Sequence, residues 1–251
     1  MTTDGFVSSQ VTVSDMNLEV LDSSESVDRV AADFIAGFAR SCPSAVMGFP
    51  TGSTPEGCYK LLAGSNTRIF SDVIFQQIDE WVGLKNSSSG TCLHHLKTNL
   101  FKPLTVGEDR ILKIRSDIDN PKKEAQQVQK KLERAGGLDL CVLGLGLNGH
   151  LGLIEPSKNW LPERVNVIKL SESTRNHTMI QHVDIKPTQG ITIGIKDILE
   201  STAILLIVKG EQKRNILRKV IDSEPTSQLP ASYLNGHSGL KTICDVAAFK
   251  K

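Results

Sequence analysis

Residues 138–156 read LDLCVLGLGLNGHLGLIEP, an apolar run that passes into glycines and then to His150 and Glu155. Residues 138–143 are too few for a helix, which must first overcome the cost of nucleation, and their Leu, Val and Cys content suits a strand buried on both faces. Gly144, Gly146 and Gly149 then let the backbone turn sharply and leave room for a ligand. A histidine and a carboxylate five residues apart, just past a buried strand, stand where open α/β sheets place ligands. The stretch predicts the floor of an active site.

The segment GLGLNG at 144–149 is also a literal GxGxxG, the pattern of a dinucleotide site. That fingerprint needs a helix to begin at the loop, whereas residues 150–156 carry a further glycine and end in proline. No second strand ends in an acid at the usual distance. The glycines are better explained as giving a small substrate access to the backbone.

Working outward, residues 24–40 place Val27, Val30, Ala31, Phe34, Ile35 and Phe38 at helical spacing, with Ser24 or Ser26 able to cap the start. Strands are expected at 45–49, 73–78, 111–114, 190–195 and 203–208. Helices are expected at 55–63, 92–100, 121–135 and 212–221, with a short helical turn at 196–200; residues 231–234 and 241–245 finish the chain. Short alternating runs in residues 1–22, such as Val11 and Val13, would make a ragged first strand. Residues 157–187 are irregular and read as a lid. Strands alternate with helices, which predicts an α/β, Rossmann-like, doubly wound and mostly parallel sheet with helices on both faces. With no repeat and no break in composition, residues 1–251 read as a single domain.

A formal net charge of +1 gives no broad attraction for nucleic acid or an anionic membrane. Five scattered cysteines without a CxxC pair fit a reducing compartment better than a disulfide framework. The first ten residues lack a basic start and an apolar core, and no apolar run has the length of a membrane span. A soluble cytoplasmic protein is expected.

The loop FPTGSTP at 49–55 joins a strand to a helix and offers hydroxyls and backbone N–H groups near a helix N-terminus, a setting for phosphate. It lacks the Lys-Ser/Thr pair of a Walker loop, and its plainer reading is a turn capped by Ser53 or Thr54. Arg175 and Lys213 could complete an anion site. Asp79 follows a buried strand and is placed to act as a general base, although a lone Asp there is more commonly a turn residue. For His150, the catalytic reading gains from Glu155 and Asn148, either of which could orient the imidazole. His94 and His95 are adjacent and point apart in any regular element, so no metal site is expected.

Three stretches in order, FPTGSTP, QIDEWVGL and LGLGLNGHLGLIEP, resemble the glucosamine-6-phosphate deaminase and 6-phosphogluconolactonase superfamily over nearly the whole chain. DEWVGL and the pairing of NGH with EP resemble its amino-sugar branch, whereas the lactonases tend to carry DER and DGHTASLFP at these places. Asn148 before GH is most like the galactosamine-6-phosphate isomerase (deaminating) group. The resemblance implies that Thr51, Gly52, Ser53 and Thr54, with Arg175 and Lys213, hold a sugar phosphate. It implies that Asp79 moves a proton between C2 and C1, and that His150, oriented by Glu155 and Asn148, shuttles a proton during ring opening. No metal or organic cofactor is required by that scheme, and the partner implied is a small amino-sugar phosphate. A homo-oligomer stays open. The given sequence finishes in CDVAAFKK with no long segment beyond the last predicted element, so regulation by an amino-sugar effector is the less expected case, although it stays open. Three alternatives are a glucosamine-6-phosphate deaminase, a 6-phosphogluconolactonase and a non-catalytic sugar-phosphate sensor; the last lacks a helix-turn-helix or basic patch, and Asp79, His150 and Glu155 together argue against it.

Overall fold

The computed structural model of the protein describes residues 16–250, apart from 159 and 185. Its elements run β1 (Leu18–Leu21), α1 (Ser24–Ser41), β2 (Val46–Phe49), α2 (Glu56–Ala63), β3 (Ile74–Gln77), β4 (Asp79–Trp81) and α3 (Cys92–Leu96). Then come β5 (Ile111–Leu112), α4 (Pro121–Arg134), β6 (Leu140–Gly144), β7 (Asn166–Lys169) and α5 (Glu172–Arg175). The chain closes with β8 (Gln189–Thr192), α6 (Ile195–Leu199), β9 (Ala203–Val208), α7 (Arg214–Ile221), β10 (Leu240–Asp245) and α8 (Val246–Phe249).

The apolar run becomes β6, the middle of a seven-stranded sheet ordered β1-β10-β9-β6-β2-β3-β5 in which every pairing is parallel. Alternation divides its side chains between two cores. Leu140 and Val142 join α1 and α2 on one face, while Cys141 and Leu143 join α4, α6 and α7 on the other. β9 does the same, with Ala203, Leu205 and Ile207 opposite Ile204, Leu206 and Val208. Each Leu, Ile or Val buried this way contributes roughly 1.5–3 kcal/mol, so a polar residue of either parity would be costly. The doubly wound α/β architecture follows.

Several local expectations change. The cap of α1 is Ser23, whose hydroxyl accepts from Ser26 N–H, rather than Ser24 or Ser26. Val30, Phe34 and Phe38 pack at the edge of the core, and the buried stripe is filled by Val27, Ala31, Ile35 and small alanines that allow close approach to the sheet. The helix expected at 92–100 is a short α3 continued by a π turn at Lys97–Phe101. Of the ragged first strand, Leu18–Leu21 forms, and Val11 and Val13 lie outside the described residues.

The larger correction is a second sheet. β4, β8 and β7 form an antiparallel three-stranded sheet in that order. The strand expected at 73–78 thus ends at Gln77, and the chain passes through Ile78 into β4, which pairs Asp79 with Thr192. Residues 157–187, expected to be irregular, contribute β7 to this sheet as well as α5. The strand is four residues long and only Ile168 in it is fully buried, so it lacks the alternation that marks a strand.

Candidate active site

β2 and β6 lie side by side at the centre of the large sheet, and from them the order runs outward in opposite directions. Such a reversal opens a crevice at the C-terminal ends of the two strands. The loop holding Thr51–Thr54 leaves β2 there, and the loop holding Asn148 and His150 leaves β6. A Cβ placed on Gly144 would stand only 3.9 Å from Thr54 Cβ, so the two loops are neighbours.

In the first loop, Tyr59 is buried beneath and donates its hydroxyl to Pro50 O at 2.7 Å, fixing the loop's start. Gly52 adopts φ +92°, a left-handed conformation that favours glycine. Neither Ser53 nor Thr54 caps α2: the N-cap is Pro55, without a side-chain bond. Their hydroxyls make no hydrogen bond among the described residues and lie beside the N–H groups of a helix start, a setting that favours an anion. Thr51 Oγ1 donates to Cys92 Sγ at 3.7 Å.

In the second loop no helix begins, so the dinucleotide pattern has no matching structure. The His150 ring lies on Gly146, where a Cβ would come within 2.4 Å of it. Leu229 crowds Gly149 in the same way, at 2.3 Å. These two glycines, expected to leave room for a ligand, instead make room for the protein's own side chains.

Asn148 Oδ1 lies 2.7 Å from His150 Nδ1, and its Nδ2 donates to Glu155 Oε2 at 2.9 Å. That second bond fixes the amide's orientation, which leaves its oxygen to accept Nδ1–H, so the network assigns the Nε2 lone pair to the open side. Glu155 therefore reaches His150 through Asn148. Its other oxygen accepts from Ser171 Oγ at 2.9 Å and from the Thr174 hydroxyl, tying α5 to this loop. Burial lowers the pKa of His150; the Glu155 charge opposes this, while Lys213 and His177 add to it. The imidazole is neutral near pH 7. Glu155 is held below its usual range, its hydrogen bonds and His150 outweighing burial.

Asp79 stands at the junction of the two sheets. It is buried, and its Oδ1 has no hydrogen-bond partner among the described residues. Gly152, two residues past His150, adopts φ +54°, which favours glycine, and a Cβ there would come 3.1 Å from Thr192 Oγ1 and 3.4 Å from Asp79 Oδ2, so the His150 loop packs against the carboxylate. Burial, and then the charge of Glu80, push Asp79 up to about 7. Glu80 is also raised by burial, but it accepts from Trp81 N, Cys92 N, Leu93 N and Gln77 Nε2 at 2.8–2.9 Å. These four donors favour its ionised form and offset part of the burial, leaving Glu80, like Asp79, at about 7.

Lys213 Nζ donates to Leu145 O at 2.5 Å, which places the ammonium at the root of the His150 loop, and burial lowers its pKa. Arg175 ends α5, and its buried Nε lacks a protein partner among the described residues. No direct bond joins either cation to Thr51–Thr54 among the described residues. Sequence reasoning missed Glu80, although it lies inside DEWVGL, and missed Ser171 and Thr174. Their partners come from remote segments, which no local spacing announces. A separate cavity of about 250 Å³ lies at the other end of the sheet, lined by Gln129, Glu133, Arg164, Asp197 and Glu200, and these groups already bond to one another.

Fold and site together define an α/β enzyme with acid–base groups and an anion-ready loop gathered at the C-terminal edge of a parallel sheet. Residues 22–243 match the model of the glucosamine-6-phosphate isomerases/6-phosphogluconolactonase family, and the chain belongs to that family. It is 36% identical over 230 residues to a relative named "Putative deaminase AgaI" from Escherichia coli (strain K12), covering 90% of each chain. It is 32% identical to a glucosamine-6-phosphate deaminase of Clostridium botulinum (strain Loch Maree / Type A3), covering 94% of this chain and 98% of the relative. Among solved structures, a monomeric glucosamine-6-phosphate deaminase of the NagB superfamily superposes with a TM-score of 0.86 at 28% identity, covering 93% of this chain and 98% of the other. A 6-phosphogluconolactonase from Trypanosoma cruzi, at 18% identity and TM-score 0.77, shares the fold over 93% of this chain and 95% of its own. Among the described residues no helix is long and apolar enough to cross a membrane, and no group of three or more His, Cys, Asp or Glu could hold a metal ion.

Proposed function

We propose that the protein opens the ring of an amino-sugar 6-phosphate and converts it to a ketose 6-phosphate and ammonia, with galactosamine 6-phosphate, giving tagatose 6-phosphate, as its substrate. The observation that carries this reading is Asp79: a buried carboxylate with a pKa near neutrality, held against the loop that bears His150. A base of this kind can take a proton from carbon and return it at pH 7.

His150 Nε2 takes the proton of the anomeric hydroxyl and returns it to the ring oxygen, giving the open aldehyde. Asp79 then removes the C2 proton, now acidic beside the carbonyl, and delivers it to C1, while the C1 oxygen gains a proton and the amine nitrogen gives one up. The product is a C2 imine, which water hydrolyses to the ketose and ammonia. Thr51, Gly52, Ser53 and Thr54 hold the phosphate with Arg175 and Lys213, and residues 157–187 act as a lid. Five cysteines without a disulfide support action in a reducing cytoplasm.

Asn148 supports the galacto epimer, because LGLNGHLGL resembles that group. The glucosamine-6-phosphate reading is favoured by the names of the clostridial relative and of the monomeric structural neighbour. Ammonia release from the two C4 epimers, run beside hydrolysis of 6-phosphogluconolactone, separates the readings. A higher kcat/KM for galactosamine 6-phosphate is expected. A preference for glucosamine 6-phosphate would shift the assignment to the other epimer, and lactone hydrolysis without ammonia release would refute both.

A further inference from the structure

The lid segment carries a histidine that the scheme above leaves unused. His177 lies two residues past Arg175, and its ring stands 6.1 Å from that of Trp81 at an interplanar angle of 40°. Trp81 and Asp79 alternate along β4 and so share one face of the small sheet, which puts His177 on the side of the base. Trp81 is buried, and its Nε1 has no partner among the described residues. Arg175 Nε, two residues before His177, Asp79 Oδ1 on the same strand as Trp81, and His95 Nδ1 are likewise buried without a partner among the described residues. Buried groups of this kind are normally satisfied, and a polar ligand is the simplest partner for the set.

The tautomer of His177 is set by its own segment. Met179 N–H donates to Nδ1 at 3.3 Å, so in the neutral ring the proton sits on Nε2. Nε2 is then a hydrogen-bond donor with no bond to the described residues. Its surroundings include the ammonium of Lys213, which acts electrostatically on both His177 and His150. His95 in turn pairs with Glu56, the first residue after the loop of Thr51–Thr54 and Pro55, at 3.1 Å. A donor within reach of the Lys213 charge, on the segment that carries Arg175, suits an anion.

We infer that His177 is a substrate-binding residue whose Nε2–H donates to the phosphoryl group of the sugar phosphate. This rests on the sugar-phosphate reading of the same site, and the test is built to separate the two. His177→Asn keeps an acceptor for Met179 N–H but loses the distal donor, His177→Gln keeps a distal donor, and His177→Ala loses both. Each variant is titrated calorimetrically with inorganic phosphate and assayed for KM and kcat in ammonia release.

Asn and Ala should each weaken phosphate binding and raise KM by about tenfold, the loss of one hydrogen bond to a charged group, with kcat nearly unchanged and partial recovery in Gln. If Asn binds phosphate like the parent while Ala does not, His177 merely caps its turn and the inference fails. Unchanged phosphate affinity in both, whatever happens to KM, also overturns it. Should the parent release no ammonia from either epimer, the functional reading fails, and the phosphate titration still decides the role of His177.

Discussion

Asp79→Asn separates the catalytic role of the carboxylate from the cost of keeping it buried. In the folded protein Asp79 is raised from 3.8 to about 7, chiefly by burial and then by Glu80. A rise of that size corresponds to about 4 kcal/mol of differential interaction between its two protonation states. The sign follows from proton counting: between these values the folded state binds a proton that the unfolded state has lost, so stability falls as pH rises. The contribution is fully present below the unfolded value of 3.8 and is lost as pH passes through the folded value of about 7. Asn cannot ionise, so the variant should gain on the parent by about 3 kcal/mol between roughly pH 5 and 8. Urea unfolding of both proteins at these two pH values reads the difference. The amide of Asn leaves its own polar atoms buried, but that penalty does not change with pH. Ammonia release should meanwhile fall by about 10²- to 10⁴-fold, the usual effect of a general base, while substrate binding persists. A stability difference independent of pH would refute the raised pKa, and retained turnover would refute the assignment of Asp79 as the base.

Two further substitutions probe the His150 loop. Asn148→Asp puts a carboxylate where the amide now lies 2.7 Å from His150 Nδ1 and breaks the donation to Glu155, so the imidazole pKa should rise from its lowered value. Its protonation then limits the rate at a higher pH than Asp79 does, moving the acid limb of the kcat/KM profile upward; an unchanged profile would contradict this. Gly146→Ala should lower kcat by about a hundredfold without needing any backbone change, because the new Cβ would stand 2.4 Å from the His150 ring and push it out of line. Unaltered kcat in a folded variant would show that the ring position is not critical.

By itself the sequence determined the architecture of the large sheet and pointed to the side chains proposed to react. Residues 138–143 are apolar at consecutive positions, and β6 buries Leu140 and Val142 on one face with Cys141 and Leu143 on the other. Such a run has few solutions other than a central parallel strand. The motifs around Thr51, Asp79 and His150 were legible because each sits within a few residues of a strand end, where local order predicts local structure. Tertiary structure decided the rest. Asp79 opens a strand of a second sheet whose partner, β8, lies more than a hundred residues away, and its burial is what brings its pKa to neutrality. Asn148 mediates between Glu155 and His150, and the hydroxyls that hold Glu155 come from α5. Desolvation and hydrogen-bond partnership depend on which remote segments cover a group, and that information is absent from the spacing of the residues themselves.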